Sequence, residues 1–138
     1  MNEEAILLAG CVILDDYGRI LLLHRDLGEA SRWELPGGKV EEEELPEAAA
    51  VRELQEELGV SVRLTKALGS EDFEDGEQLY KFYWFQAEIE RGELQIMETE
   101  TFDDYDYIDL EDLPSIALSA NMIVFEAKLV HGDVVLDG

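Results

Sequence analysis

The sequence predicts one layered α/β domain in which helices pack against a mixed β-sheet. Three observations carry this. Five strand-like segments are interleaved with two helical ones. No Gly/Ser linker, composition break or internal repeat divides the 138 residues. The first apolar stretch is nearly continuous rather than alternating, as in a sheet covered on both faces. In order, Ala5 to Leu14 and Arg19 to His24 read as strands flanking the turn Asp15-Asp16-Tyr17-Gly18, and are expected to form a hairpin. Pro46 to Leu58 reads as a helix, with proline suited to its first position and Gly59 to the position just past its end. Val60 to Leu68 and the aromatic-rich Gln78 to Ile89 are strands, and Asp104 to Leu110 is a short one. Ser119 to Val130 closes the chain as a helix N-capped by Ser119.

Charge narrows the function. Thirty-four acids against ten bases give a net charge of −24, which repels nucleic acid polymers and anionic lipid. The longest apolar run, Ala5 to Leu14, is far short of the roughly 18–20 residues that span a bilayer. It follows the acids Glu3 and Glu4, where a secretory signal carries positive charge. Cys11 is the only cysteine, so no internal disulfide forms and a cytoplasmic location is expected, with Cys11 as a buried strand residue.

The chemistry concentrates on the Pro46 to Leu58 helix. At about 100° per residue, Val51, Leu54 and Leu58 share one sector, while Glu53, Glu56 and Glu57 fall on the other side with Glu57 nearest the border. A solvated acidic face is one reading. Against it, acids at these spacings repel by a few tenths of a kcal/mol per pair. Glu56 and Glu57 also occupy the last turn, where the helix dipole disfavours each anion by roughly 0.3–1 kcal/mol. A bound divalent cation removes both costs, and a carboxylate set suits Mg²⁺ or Mn²⁺. Arg52 can pair with Glu56 and hold it. Upstream, the bend Leu35-Pro36-Gly37-Gly38-Lys39 allows close backbone approach, so Gly37 and Gly38 can offer a carbonyl to the same metal and Lys39 can meet an anionic substrate.

Gly38, Glu44 and the run Arg52-Glu53-Leu54-Gln55-Glu56-Glu57-Leu58-Gly59-Val60 resemble the complete Nudix box, the signature of the Nudix hydrolase family. Two neighbouring positions depart from the common pattern: Glu43 where many members have glycine, and Leu45 where many have Thr or Ser. The resemblance implies an α/β/α sandwich, a mixed sheet with helices on both faces, and Mg²⁺-dependent hydrolysis of a nucleoside diphosphate linked to another group. It also implies that Glu53, Glu56 and Glu57 are metal ligands, that Glu53 or Glu56 accepts a water proton, and that Glu44 and Arg52 orient the glutamates. Physics agrees, since a bare carboxylate about 6 Å from a phosphate charge opposes binding by roughly 3 kcal/mol at a dielectric near 20. A cation reverses that repulsion.

Members of the family often recruit a further acid from a later loop. Met97-Glu98-Thr99-Glu100-Thr101-Phe102 is similar to such a stretch, with Glu100 favoured over Glu98 as ligand or base. Ser119-Ala120-Asn121-Met122 is similar to the base-reading segment of MutT-like nucleoside triphosphatases. Asn121 can address a purine edge or bond locally in the helix's first turn. Tyr80, Phe82 and Trp84 alternate onto one strand face, either to stack on a base or to pack in the core. Arg25 and Arg32 can contact phosphate or base, or pair with surface acids, and His24 and His131 are assigned to no metal. The expectation is a MutT-like pyrophosphohydrolase, monomeric or homodimeric, cleaving a nucleoside triphosphate such as an oxidised purine deoxynucleotide. An ADP-ribose or ADP-sugar hydrolase and a nucleotide sensor without turnover are the alternatives.

Overall fold

A computed structural model describes residues 4–138. Glu3, half of the acidic pair read at the N-terminus, lies outside them. The elements are β1 (Ile6–Val12), β2 (Ile20–Arg25), β3 (Arg32–Glu34), β4 (Gly37–Lys39), α1 (Pro46–Leu58), β5 (Ser61–Asp75), β6 (Gln78–Arg91), β7 (Asp104–Ile108) and α2 (Ala120–His131), with 3₁₀ turns at Gly28–Ala30 and Leu110–Ser115. One sheet is mixed, in the order β4-β1-β6-β5, and a second, antiparallel sheet has the order β3-β2-β7.

Continuous apolar strands bury both faces, as their composition implied. Ala9 and Cys11 of β1 join Phe85 and Ala87 of β6 beneath Ala49, Ala50, Leu54 and Leu58 of α1. Their alternate neighbours, Val12, Phe82 and Trp84, pack with Met122 and Phe125 of α2 on the other face. The two helices therefore cover opposite sides of the central strands, the α/β/α arrangement. Cys11 is fully buried and burial pushes its thiol up to about 12, with the Glu57 carboxylate adding to the rise, so it is an inert core thiol.

The expected β1–β2 hairpin is corrected. The turn exists, with the Gly18 N–H donating to the Asp15 carbonyl, but pairing continues only through the Leu14–Ile20 bridge. Beyond it β1 takes β4 and β6 as neighbours while β2 takes β3 and β7, because both edges of β1 are already occupied. The strand read as Val60 to Leu68 runs on to Asp75, bulged at three places and closed onto β6 by a Gly76-Glu77 turn. Bulges raise local twist and bend the strand.

Helix α1 begins and ends where proline and glycine place it. Gly59 adopts φ 69° and donates its N–H to the Gln55 carbonyl. The start is weaker, since Leu45 occupies the N-cap in extended conformation with no side-chain hydrogen bond. Leu45 is 67% exposed, so Leu45→Ser gives up little burial and is expected to stabilise the fold by about 1 kcal/mol in urea titration. Glu43 carries φ 64°, the conformation that glycine adopts without strain. At the other helix, the Ser119 hydroxyl caps α2 by accepting from the Met122 N–H, as expected.

Candidate active site

The glycine bend and the acidic helix meet because neither glycine has room for a side chain. Gly37 and Gly38 pair with Gly10 and Ala9 of β1. A Cβ at Gly37 would strike the Ala9 carbonyl, and one at Gly38 would lie 2.6 Å from each carboxylate oxygen of Glu53. Glu57, the border residue of the helix, is 4% exposed and accepts a hydrogen bond from the Gly37 N–H at 2.7 Å. The bend thus meets the helix through an N–H.

Arg52 gathers the rest. Its Nε and Nη2 hold both oxygens of Glu44 at 2.8 and 2.9 Å, and Nη2 also reaches the Lys39 carbonyl at 2.9 Å. Nη1 bridges Glu53 at 3.0 Å and Glu56 at 3.2 Å. Glu44 in turn accepts from the Glu41 N–H and so locks the loop before the helix. The Arg52 guanidinium holds the Glu44 carboxyl down at about 2. Glu53 and Glu57 behave oppositely: burial pushes both carboxyls up, and the negative charge of Glu98 adds to each rise.

Beside the bend opens a cleft of about 210 Å³. Arg25, Arg32, Asn121, Phe73, Asp75 and Tyr80 help to line it, together with Gly37 and Gly38. Two short pairings assemble it. Trp33 donates to the Ala117 carbonyl and accepts from the Ser119 N–H, which fastens the start of α2 to β3. Glu34 holds Arg25 through two hydrogen bonds of 3.1 and 2.9 Å and Arg32 through one of 3.4 Å, leaving one positive charge in excess. Asn121 is 7% exposed, and its Nδ2 finds no partner among the described residues.

Of the residues read from the sequence, Arg25, Arg32, Asn121, Gly37 and Gly38 line this cleft and Glu53, Glu56, Glu57, Glu44 and Arg52 form the adjoining cluster. Two placements differ from that reading. Trp84 is 1% exposed, wedged between Phe82 and Phe125, and belongs to the core. Lys39 is exposed and lies outside the cleft lining, and its carbonyl accepts a hydrogen bond from Arg52 Nη2. In the later loop the negative charge of Glu98 adds to the rise of both the Glu53 and the Glu57 carboxyls. Reading the sequence missed Glu34, Phe73 and Asp75. The Asp75-Gly76 pair between two strand-like runs is a hairpin signal that would have located the last two.

The donor set fits a hard divalent cation: carboxylate oxygens are crowded, and Glu57 and Glu53 carry charge that the fold holds at a cost. Among the described residues no three acidic, His or Cys side chains converge into a ready ligand group, and Arg52 Nη1 is hydrogen-bonded to both Glu53 and Glu56. A stability prediction follows from the raised carboxyls. Groups that hold protons more tightly in the fold contribute stability fully below the unfolded value near 4.5 and lose it as pH rises through their folded values. Glu44 has the opposite sign and loses its contribution as pH falls from 4.5 towards 2. Without divalent cations, Tm is therefore expected to drop by several degrees between about pH 5 and about pH 8, and Mg²⁺ to restore it. Equal melting temperatures at both pH values would contradict this.

An α/β/α fold that sets an acidic helix against a glycine bend beside an arginine-lined cleft is the framework of a hydrolase of phosphate anhydrides. The comparisons agree: the NUDIX domain family matches residues 6–130, and the chain belongs to that family. An RNA pyrophosphohydrolase of Bartonella tribocorum is 33% identical over 143 residues, covering 84% of this chain and 83% of that protein. An 8-oxo-dGTP diphosphatase of Proteus vulgaris is 36% identical over 87 residues, covering 60% and 78%. The crystal structure of a MutT NUDIX hydrolase from Burkholderia pseudomallei superposes with a TM-score of 0.78 at 33% identity, covering 90% of this chain and 98% of that one. This chain is accordingly a Nudix pyrophosphohydrolase acting on nucleoside phosphates. Among the described residues no helix is long and apolar enough to cross a membrane.

Proposed function

We propose that this protein is a Mg²⁺-dependent hydrolase that cleaves a purine nucleoside triphosphate to monophosphate and pyrophosphate, with oxidised purine deoxynucleotides as its first substrates to try. The observation that carries the reading is the continuity of the cleft: one cavity joins the glycine bend at the acidic cluster to the unpartnered amide of Asn121. Held by Glu53, Glu56, Glu57 and Glu98, a divalent cation would neutralise the site, polarise phosphorus and place water for in-line attack. Glu56, exposed and tied only to Arg52 Nη1, is the ligand free to turn towards it. Arg52 and Glu44 position the cluster, and Glu53, aligned by Arg52 and packed against Gly38, accepts the water proton. The Arg25-Glu34-Arg32 group contributes its excess positive charge to the phosphates, and Asn121 donates to a purine carbonyl.

The Bartonella relative is named for RNA, but a net charge of −24 opposes a phosphate polymer more than a free nucleotide. The test is a panel of deoxynucleoside triphosphates, their oxidised forms, ADP-ribose and 5′-triphosphorylated RNA, assayed with Mg²⁺ and with products identified. Pyrophosphate release from a free purine triphosphate at the highest kcat/KM is the expected result. Higher efficiency on ADP-ribose with release of AMP, or on RNA ends, would overturn it, and binding without turnover would make the domain a sensor.

A further inference from the structure

The segment 97–103, which carries Glu98 and leads into β7, is fastened at both ends. At its start the Met97 N–H donates to the Glu57 carbonyl at 2.9 Å, in the last turn of α1. At its end two contacts join the same pair of residues. The Asp103 N–H donates to the His24 carbonyl at 3.1 Å, and His24 Nδ1 meets Asp103 Oδ1 at 2.6 Å. An ionised carboxylate only accepts, so Nδ1 carries the proton. Between the two fastenings the Thr101 and Phe102 N–H groups both donate to the Glu98 carbonyl at 3.0 Å, which ties the backbone of Glu98 to the clasped end. Phe102 is 2% exposed, and the Arg25 guanidinium lies 4.9 Å from its ring centre, so two consecutive residues of β2 hold two consecutive residues of the loop. The His24 ring is itself seated, 4.8 Å from the ring of Trp33.

We infer that His24 is a positioning residue, whose clasp on Asp103 holds the loop so that Glu98 reaches the cation site of α1. The inference rests on the proposed reading of Glu98 as a cation ligand. The Glu98 side chain is exposed, so the backbone of its loop decides where the carboxylate stands. Oxygen ligands serve a hard cation only within about 2.0–2.6 Å, and a loop free to swing about Met97 carries the carboxylate out of that range. Groups that orient a ligand in this way are typically worth about 10–100-fold in metal affinity or activity. The His24–Asp103 pair is partly exposed and adds little to global stability, so its loss affects the cation site more than the fold.

The test titrates Mn²⁺ calorimetrically into the full chain in the presence of a non-hydrolysable purine triphosphate, with thermal melts alongside. His24→Phe, which keeps a ring against Trp33 and deletes Nδ1, and Asp103→Ala are each expected to weaken Mn²⁺ binding about tenfold with little change in Tm. Asp103→Asn keeps an acceptor for the Nδ1–H and is expected to bind Mn²⁺ nearly as wild type does. Glu98→Ala is expected to lose at least as much as His24→Phe, and the double variant to lose no more than Glu98→Ala alone, because the clasp acts through Glu98. Wild-type affinity in His24→Phe and Asp103→Ala, alongside a weakened Glu98→Ala, would overturn the inference. An equal loss from His24→Phe with and without the Glu98 side chain would do the same, as the mark of a general structural effect. Wild-type affinity in Glu98→Ala would instead strike the reading of Glu98 on which the inference rests.

Discussion

Glu53→Gln is expected to lower kcat by about 10³-fold or more at saturating Mg²⁺, because it removes both a cation ligand and the acceptor of the water proton. The substitution keeps the shape of the side chain, which matters where the carboxylate fills the space over Gly38. It keeps an oxygen for Arg52 Nη1, now 3.0 Å away. It also deletes a charge that burial, Glu56 and Glu98 disfavour, so Tm of the metal-free variant is expected to equal or exceed that of wild type. Loss of activity with unchanged or higher Tm identifies a chemical defect. Steady-state kinetics paired with thermal melts make the measurement, and a folded variant with full activity would remove Glu53 from the mechanism.

Trp84→Ala is expected to give the largest stability loss, about 3–5 kcal/mol in urea titration, as for other fully buried aromatic truncations. The indole lies 5.1 Å from the Phe125 ring in an edge-on contact and 6.3 Å from Phe82, so its removal opens a cavity where α2 meets β6. Trp84→Phe is expected to cost far less, since the indole Nε1 has no hydrogen-bond partner among the described residues to lose. KM for the nucleotide should be the same in wild type and Trp84→Phe, because Trp84 is absent from the cleft lining. A several-fold rise in KM without a loss of stability would return Trp84 to the base site.

What the sequence made legible is what local chemistry decides. Helix α1 has the predicted ends because Pro46 and Gly59 act within one turn of them. The acidic cluster was legible because Glu53, Glu56 and Glu57 sit on one helix, whose pitch sets their spacing. Glu43 and Leu45 stood out in the sequence, and the structure shows a left-handed residue and an uncapped helix start at those positions. The unread parts depend on partners distant in the chain. Strands β3 and β4, three residues each, exist through their pairing with β2 and β1. Strand alternation put Tyr80, Phe82 and Trp84 on one face, but along that face the surroundings change: Tyr80 and Phe82 reach the cleft, while Trp84 lies under α2. How the later loop folds back over α1, where the Met97 N–H donates to the Glu57 carbonyl, likewise depends on a contact that no local pattern announces.

Calorimetric titration of Mg²⁺ or Mn²⁺ into wild-type protein and Glu57→Gln tests the central claim most directly, with and without a non-hydrolysable purine triphosphate. Wild type is expected to bind the cation more tightly when nucleotide is present, and Glu57→Gln to lose most of that affinity while remaining folded. Cation binding that is absent from wild type under both conditions, or unchanged in Glu57→Gln, would contradict it.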